Sequence, residues 1–365
     1  MSKSLTRRLI VGVFLAFASS AAAQPAPSGP AADATLRSTP DTVVWGYFPA
    51  DAPPVLHITS GQTVRIDTVS HSGMTTGDDP VTFFGRAGIP ADQVLQDVID
   101  IYRKVPRPKG ASAHVLTGPI FVEGAAPGDM LEVRIVGLEP RVPYGVNNTN
   151  HGTGVLPDLL TGPSAKVIRL DLARNVALFS SDVEVPLQPF MGIMAVAPPR
   201  DLSLVSSRPP ARWGGNMDFN KLTLGATLYL PVFNNGALFF TGDSHAVQGD
   251  GEIDGTAIEA SLTATLQFIV RKDAGRSMRW PRAEDASYYY TMGMDLDLDK
   301  AMREAAQATI AFLRDQKGLS AADAYALASV AVDFRVAEAV DAVQMVYGMI
   351  PKRIFKQNPD YWSKR

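Results

Sequence analysis

The sequence predicts a mainly β protein: a β-sandwich or jelly-roll-like body followed by an α+β part. Short apolar runs recur between turns, consistent with 30 glycines and 27 prolines in 365 residues. Period-two alternation prevails up to about residue 275, and helical spacing takes over beyond it. A chain this long and 46% hydrophobic can bury a large core as one or two domains.

Taken in order, Lys3, Arg7 and Arg8 precede an apolar run from Leu9 to Phe17, and Ser19 to Ala23 supply small residues. This is the pattern of a signal peptide over residues 1–23, too short to span a membrane, so a periplasmic or secreted protein with no membrane attachment after cleavage is expected. Residues 24–40, rich in Pro, Ala and Ser, read as a flexible leader. Residues 41–365 form the folded part, with the β body over about 41–275 and the α+β part over about 276–365.

From Val43 to Val69 short β pieces are broken by Pro53-Pro54 and Ser60-Gly61, and His71 follows at a strand end. Asp78-Asp79-Pro80 reads as a turn. Val94, Leu95, Val98, Ile99 and Tyr102 have the spacing of a short amphipathic helix over Ala91 to Tyr102. Leu131, Val133 and Ile135 alternate with Glu132 and Arg134 in a strand. Residues 157–200 hold further short strands, and Pro189 to Gly192 is expected to pack beneath a site. Leu228 to Phe233 and Ala237 to Phe240, joined by Asn234-Asn235-Gly236, read as a buried hairpin. Ile258, Leu262, Leu266 and Phe268 share one parity, which predicts a half-buried strand. Asp297 or Asp299 starts a helix that stops at Gly318, and Ser320 with Asp323 caps a second. Asp333 to Val340 returns to strand alternation.

Chemistry concentrates in one stretch. Between Gly214 and Glu259 lie six carboxylates and one of the five histidines, set among glycines that allow tight turns. The loop from Gly242 to Gly255 is expected to project from two adjacent strands. Asp243 and His245 are spaced to point to the same side of an extended segment. Oxygen donors with one imidazole suit zinc or another divalent ion, and the spacing is not that of an EF-hand, although calcium stands as a structural alternative. Gly242-Asp243-Ser244-His245-Ala246 also resembles a nucleophile elbow that ends in Ala, which makes Ser244 the serine-hydrolase alternative. The formal charge of −3 and the lack of a basic stripe argue against nucleic acid. The chain has no cysteine, which excludes a thiol nucleophile.

The run from Gly214 to Glu259, together with Leu116 to Asp129, Met191 to Pro198, Tyr290 to Met294 and Gly318 to Tyr325, resembles the acetamidase/formamidase family of metal-dependent amide hydrolases. The resemblance covers nearly all of the chain after residue 40. It implies hydrolysis of short linear amides to carboxylate and ammonia, a small amide substrate and a homo-oligomer. It also singles out His114, which leads its Thr-Gly-Pro motif, as a metal ligand or substrate contact. Residue chemistry then places Asp218, Asp243, His245 and His114 on the ion, one of Glu252, Glu259 and Asp250 as general base and acid, and Asn216 and His71 against the substrate. Many members resembling this pattern carry cysteine where this chain has Phe219 and Asp254. An exported binding protein of the same fold, without hydrolysis, is the remaining alternative.

Overall fold

The computed structural model describes residues 29–75, 77–202 and 204–357, so the expected signal peptide lies outside the described residues. The protein is mainly β. A nine-stranded sheet runs in the order Ala34–Leu36, Thr63–Asp67, Leu262–Arg271, Met130–Pro140, Thr227–Pro231, Arg282–Glu284, Tyr288–Asp295, Gln344–Pro351 and Asp333–Glu338. The second sheet centres on Phe239–Val247, which pairs with Phe190–Val196, Val115–Glu123 and Ile258–Glu259. One hydrophobic cluster takes side chains from both, such as Val64, Leu131 and Leu266 from the first and Ile120, Met191 and Phe239 from the second. Burying these apolar faces against each other is what holds two sheets together.

The leader reading fails where the structure describes it. Ala34–Leu36 pairs in parallel with Val64 to Ile66, and Leu36 is buried, because a single apolar residue at the right parity suffices to add an edge strand. The expected hairpin is also absent. Thr227–Pro231 belongs to the first sheet and Phe239–Val247 to the second. Both runs are buried on both faces, so their hydrophobicity does not reveal which sheet they join. Ala237 and Leu238 take positive φ, and Asn234 donates from Nδ2 to the carbonyls of Ala197 and Pro198, which carries the chain across. The strand expected from Ile258 onward is likewise two, Ile258–Glu259 and Leu262–Arg271, in different sheets.

Asp79 accepts from the backbone N–H groups of Val81 and Thr82 with Pro80 in the first turn, so the expected turn is the start of a helix, Pro80–Arg86. The helix expected over Ala91 to Tyr102 is divided into a 3-10 turn at Ala91–Gln93 and an α-helix at Gln96–Lys104. Leu298–Lys317 and Ala321–Ala331 carry the expected caps at Asp297, Gly318 and Ser320. The strands of the C-terminal part extend the nine-stranded sheet, and the long helix packs on Tyr288–Asp295 and Gln344–Pro351. Among the described residues no helix is long and apolar enough to cross a membrane.

Candidate metal centre

The site is built on the strand Phe239–Val247, which carries Asp243 and His245 within the strand rather than on a projecting loop. Its neighbour Ile258–Glu259 sets Glu259 opposite His245. On the other side Gly192 lies against them: its carbonyl accepts from the N–H groups of Met217 and Asp218, which fixes Asp218 at the end of Gly214–Asn216. A Cβ at position 192 would sit 2.5 Å from Asp218 Oδ1 and 2.7 Å from the Asp243 carbonyl, so glycine here is a matter of space. The connection after Gln248 returns with Glu252. It is pinned by the N–H of Gly251 donating to Ala337 and that of Ala339 donating to Gly251, which draws Glu338 and Asp341 into the same place.

Six carboxylates, those of Asp218, Asp243, Glu252, Glu259, Glu338 and Asp341, are therefore buried around His71, His114 and His245. His245 Nε2 is 3.2 Å from Glu259 Oε1 and 3.5 Å from Asp243 Oδ2. His71 Nδ1 is 3.5 Å from Asp243 Oδ1 and 3.8 Å from Glu259 Oε2. His114 stands further off, with Nε2 3.9 Å from Asp243 and Nδ1 against the hydroxyls of Ser112 and Ser207. Donor atoms of His71, Asp243 and Glu259 lie within 4.8 Å of one another, as do those of Asp218, Asp243 and His245, of His245, Glu252 and Glu259, and of Asp218, Glu252 and Asp341. Buried without hydrogen-bond partners are His71 Nδ1, both oxygens of Asp218, Asp243 Oδ1, His245 Nε2 and Glu259 Oε2.

Gln248 explains how His245 is oriented. Its Nε2 donates to the carbonyls of Asp218 and Ala337, so its Oε1 must face His245 Nδ1, 3.0 Å away, and accept the proton there. The other ring nitrogen, Nε2, then turns toward two carboxylates. Either a proton or a cation must lie among these atoms, because buried acceptors facing one another are costly.

The charges respond accordingly. Burial, then the carboxylates of Glu252 and Asp243, push Asp218 well above the usual carboxylate range. Burial and Asp341 do the same to Glu252. Burial, followed by Asp341, pushes Glu338 up to about 8. Asp243 is the exception: burial would raise it, but His114 and His245 outweigh that and hold it well below its ordinary value. Burial works against protonation of His245, yet Glu259 and Asp243 raise it well above 6.5. Strain accompanies charge, since Asp218, Asp243 and Glu252 all adopt left-handed backbone, at φ 40°, 49° and 45°.

Of the residues singled out from sequence, His71, His114, Asn216, Asp218, Asp243, Glu252 and Glu259 line one cavity of about 360 Å³, with His245 directly behind. His71, expected against substrate, sits among metal-capable donors, as does Glu259. Asn216 donates to Asp341 Oδ2 at 2.5 Å. Asp250 is outside the cavity. It is exposed, accepts from Asn220 and Tyr347 and pairs with Lys221 and Arg335. Ser244 is no nucleophile: its buried hydroxyl donates to the Ala260 carbonyl and contacts Thr68, because strand alternation turns it away from Asp243 and His245. Glu338 and Asp341 were not found from sequence. Their only signal is acidic residues interrupting an apolar strand end, which a solvated turn would give equally.

A family model described as the Acetamidase/Formamidase family matches residues 91–208 and 203–357. An acetamidase from Mycolicibacterium smegmatis is 30% identical over 203 residues, 40% of this chain and 50% of that relative, so only half of the relative's length is matched. The crystal structure of an acetamidase from Bacillus halodurans superposes with a TM-score of 0.72 at 27% identity, covering 89% of this chain and 99% of that one. The structure of a predicted acetamidase/formamidase from Thermoanaerobacter tengcongensis gives 0.74 at 26%, over 89% and 97%.

Proposed function

The chain belongs to the acetamidase/formamidase family, and from that premise we propose that it is an exported, metal-dependent hydrolase of linear amides. The observation that carries the proposal is the set of buried, unpartnered nitrogen and oxygen atoms on His71, Asp218, Asp243, His245 and Glu259. The donor set fits a divalent ion, zinc before calcium, because two imidazoles join the carboxylates. These five residues would hold it, with His114 at the flank. A divalent ion bound there would supply an activated water at neutral pH and a polarised carbonyl.

The chain's own residues supply the rest. Water adds to the amide carbon, the C–N bond breaks, and ammonia and a carboxylate leave. Glu252 faces the cavity and has raised proton affinity, so it suits both the uptake of a proton from water and its delivery to the departing nitrogen. Asn216, held by Asp341, presents its carbonyl oxygen, which has no other partner, toward an amide N–H. Gln248 keeps His245 Nδ1 protonated and its Nε2 available. The basic and apolar pattern of residues 1–23 supports export, and the family resemblance supports a homo-oligomer.

The test is ammonia release from formamide, acetamide and longer amides before and after chelation, after zinc is restored, and in an Asp243→Ala, His245→Ala variant. Activity lost on chelation, regained with zinc and missing from the variant is expected. Chelator-resistant activity, or none from any amide with metal bound, would overturn the reading. In the second case a binding role becomes the better account.

A further inference from the structure

This inference rests on the amide-hydrolase reading and concerns the class of amide. The cavity over the buried cluster measures about 360 Å³. On the scale of that cavity volume a water-sized group takes about 10 to 15 Å³, so the four non-hydrogen atoms of acetamide need on the order of 50 Å³. Most of the space is therefore left for something attached to the amide.

The walls select what that is. Beyond the cluster, the lining consists of the hydroxyls of Ser112, Ser206 and Thr256, the amide of Asn148 and the guanidinium groups of Arg107 and Arg208. Apolar side chains there are those of Ala111 and Ala113. The hydroxyls of Ser112, Ser206 and Thr256 already have partners within the protein, so the guanidinium groups are the lining that a long apolar acyl chain would desolvate without replacing what it lost. Both arginines are exposed and oriented by contacts with the backbone. Arg107 donates from Nε and Nη2 to the carbonyls of Ala111 and Ser112 at 2.7 to 3.2 Å. Arg208 donates to the Val340 carbonyl from Nη2, and its Nε lies 3.5 Å from Asp341. The Nε–Nη2 edge of each guanidinium is thus engaged, and each keeps Nη1 without a hydrogen bond among the described residues as one charge-assisted donor for a carboxylate. The carboxylates of the cavity are buried and the two arginines are exposed, with Arg208 bordering the cluster through Asp341. A ligand with an amide at one end and an anion at the other can enter in one orientation only.

We infer that the substrate is a monoamide carrying a carboxylate at the far end of a short chain, with the amide at the buried cluster and the carboxylate at Arg107 and Arg208. The two guanidiniums are specificity-determining residues on this account.

The test compares the monoamides of malonic, succinic and glutaric acid with neutral amides of similar chain length, using zinc-loaded protein. Values of kcat/KM should favour the best acidic amide by about tenfold to hundredfold, the range of a charge-assisted hydrogen bond. In Arg107→Gln and Arg208→Gln that ratio should fall toward one, mainly through KM. Calorimetry provides a readout independent of turnover: succinate should bind the wild type and bind each variant at least tenfold more weakly. Hydrolysis of neutral and acidic amides at equal kcat/KM, with ratios unmoved by either substitution, would overturn this inference and leave the hydrolase standing. Arginine-dependent succinate binding without hydrolysis of any amide would support the anion subsite and overturn the hydrolase. Failure of both measurements would sink both.

Discussion

Free of divalent ions, the protein should lose stability as pH rises, and Glu338 shows by how much. Its carboxyl is fully buried; Oε2 accepts from the N–H groups of Val340 and Asp341, and Oε1 has no partner. Burial and the neighbouring Asp341 push its pKa from 4.5 up to about 8. The folded state thus binds this proton more tightly than the unfolded state. The resulting stability is complete below about pH 4.5 and is lost as pH climbs through about 8. At about 1.4 kcal/mol per pH unit, that span corresponds to about 5 kcal/mol from one carboxyl. For roughly 330 ordered residues, at about 2.1 cal/mol/K each, that is a fall in Tm of about 7 °C.

Asp218, Glu252 and Asp341 are shifted the same way by burial. His71 and His245, also raised, lose their contribution as pH rises through their folded values. Asp243, held low by its histidines, acts in the opposite sense, and its share is present above 3.8. The sum is a metal-free Tm that drops between pH 5 and 9. A cation in the cluster would compensate the ionised carboxylates, so the gain in Tm on adding zinc should widen over the same interval. Scanning calorimetry with chelator and with zinc, at five or six pH values, measures both. A metal-free Tm that is flat or rises with pH, with a zinc increment independent of pH, would refute the buried-cluster argument.

Gly192→Ala should leave the far-UV circular dichroism unchanged but cost at least tenfold in zinc affinity, as for changes that misplace metal ligands, because the new methyl group meets Asp218, Asp243 and His245; equilibrium dialysis with zinc measures it. Phe219, which packs edge-on to Tyr290 and Tyr347 in the core, should lose about 3 to 5 kcal/mol on truncation to alanine, read by urea unfolding. Asp250→Asn tests its removal from the catalytic set. Amide turnover should stay within about twofold, and stability should fall by about 1 kcal/mol, as for other partly exposed ion pairs.

The parts of the fold legible in sequence were those governed by local rules. Helix caps at Asp297, Gly318 and Ser320 depend on residues within one turn, and the structure has them where the sequence puts them. Sheet membership depends on partners distant in the chain, and here period two carries no information: Leu228 and Phe239 are equally buried in different sheets. The candidate site divides in the same way. The Gly214 to Glu259 stretch announces itself because glycines and carboxylates alternate in it. Glu338 and Asp341 reach the site only because Gly251 pairs with the backbone of residues 337 and 339, a contact that no local pattern encodes.

The strained residues explain why the cluster is built from this stretch at all. Asp218, Asp243 and Glu252 each hold positive φ, which costs a residue with a Cβ on the order of 1 kcal/mol or more. Glycine at those three positions would relax the backbone and remove an oxygen donor. The chain instead keeps the carboxylates strained and places glycine beside them, at Gly242 before Asp243 and at Gly251 before Glu252, while Gly192 clears space from the neighbouring strand. A surface loop rich in Asp and Gly would gain nothing from that arrangement, since solvated carboxylates need no fixed direction. Strain concentrated on donors that are buried and converge on a few ångströms is what preorganisation for a small, highly charged ligand requires.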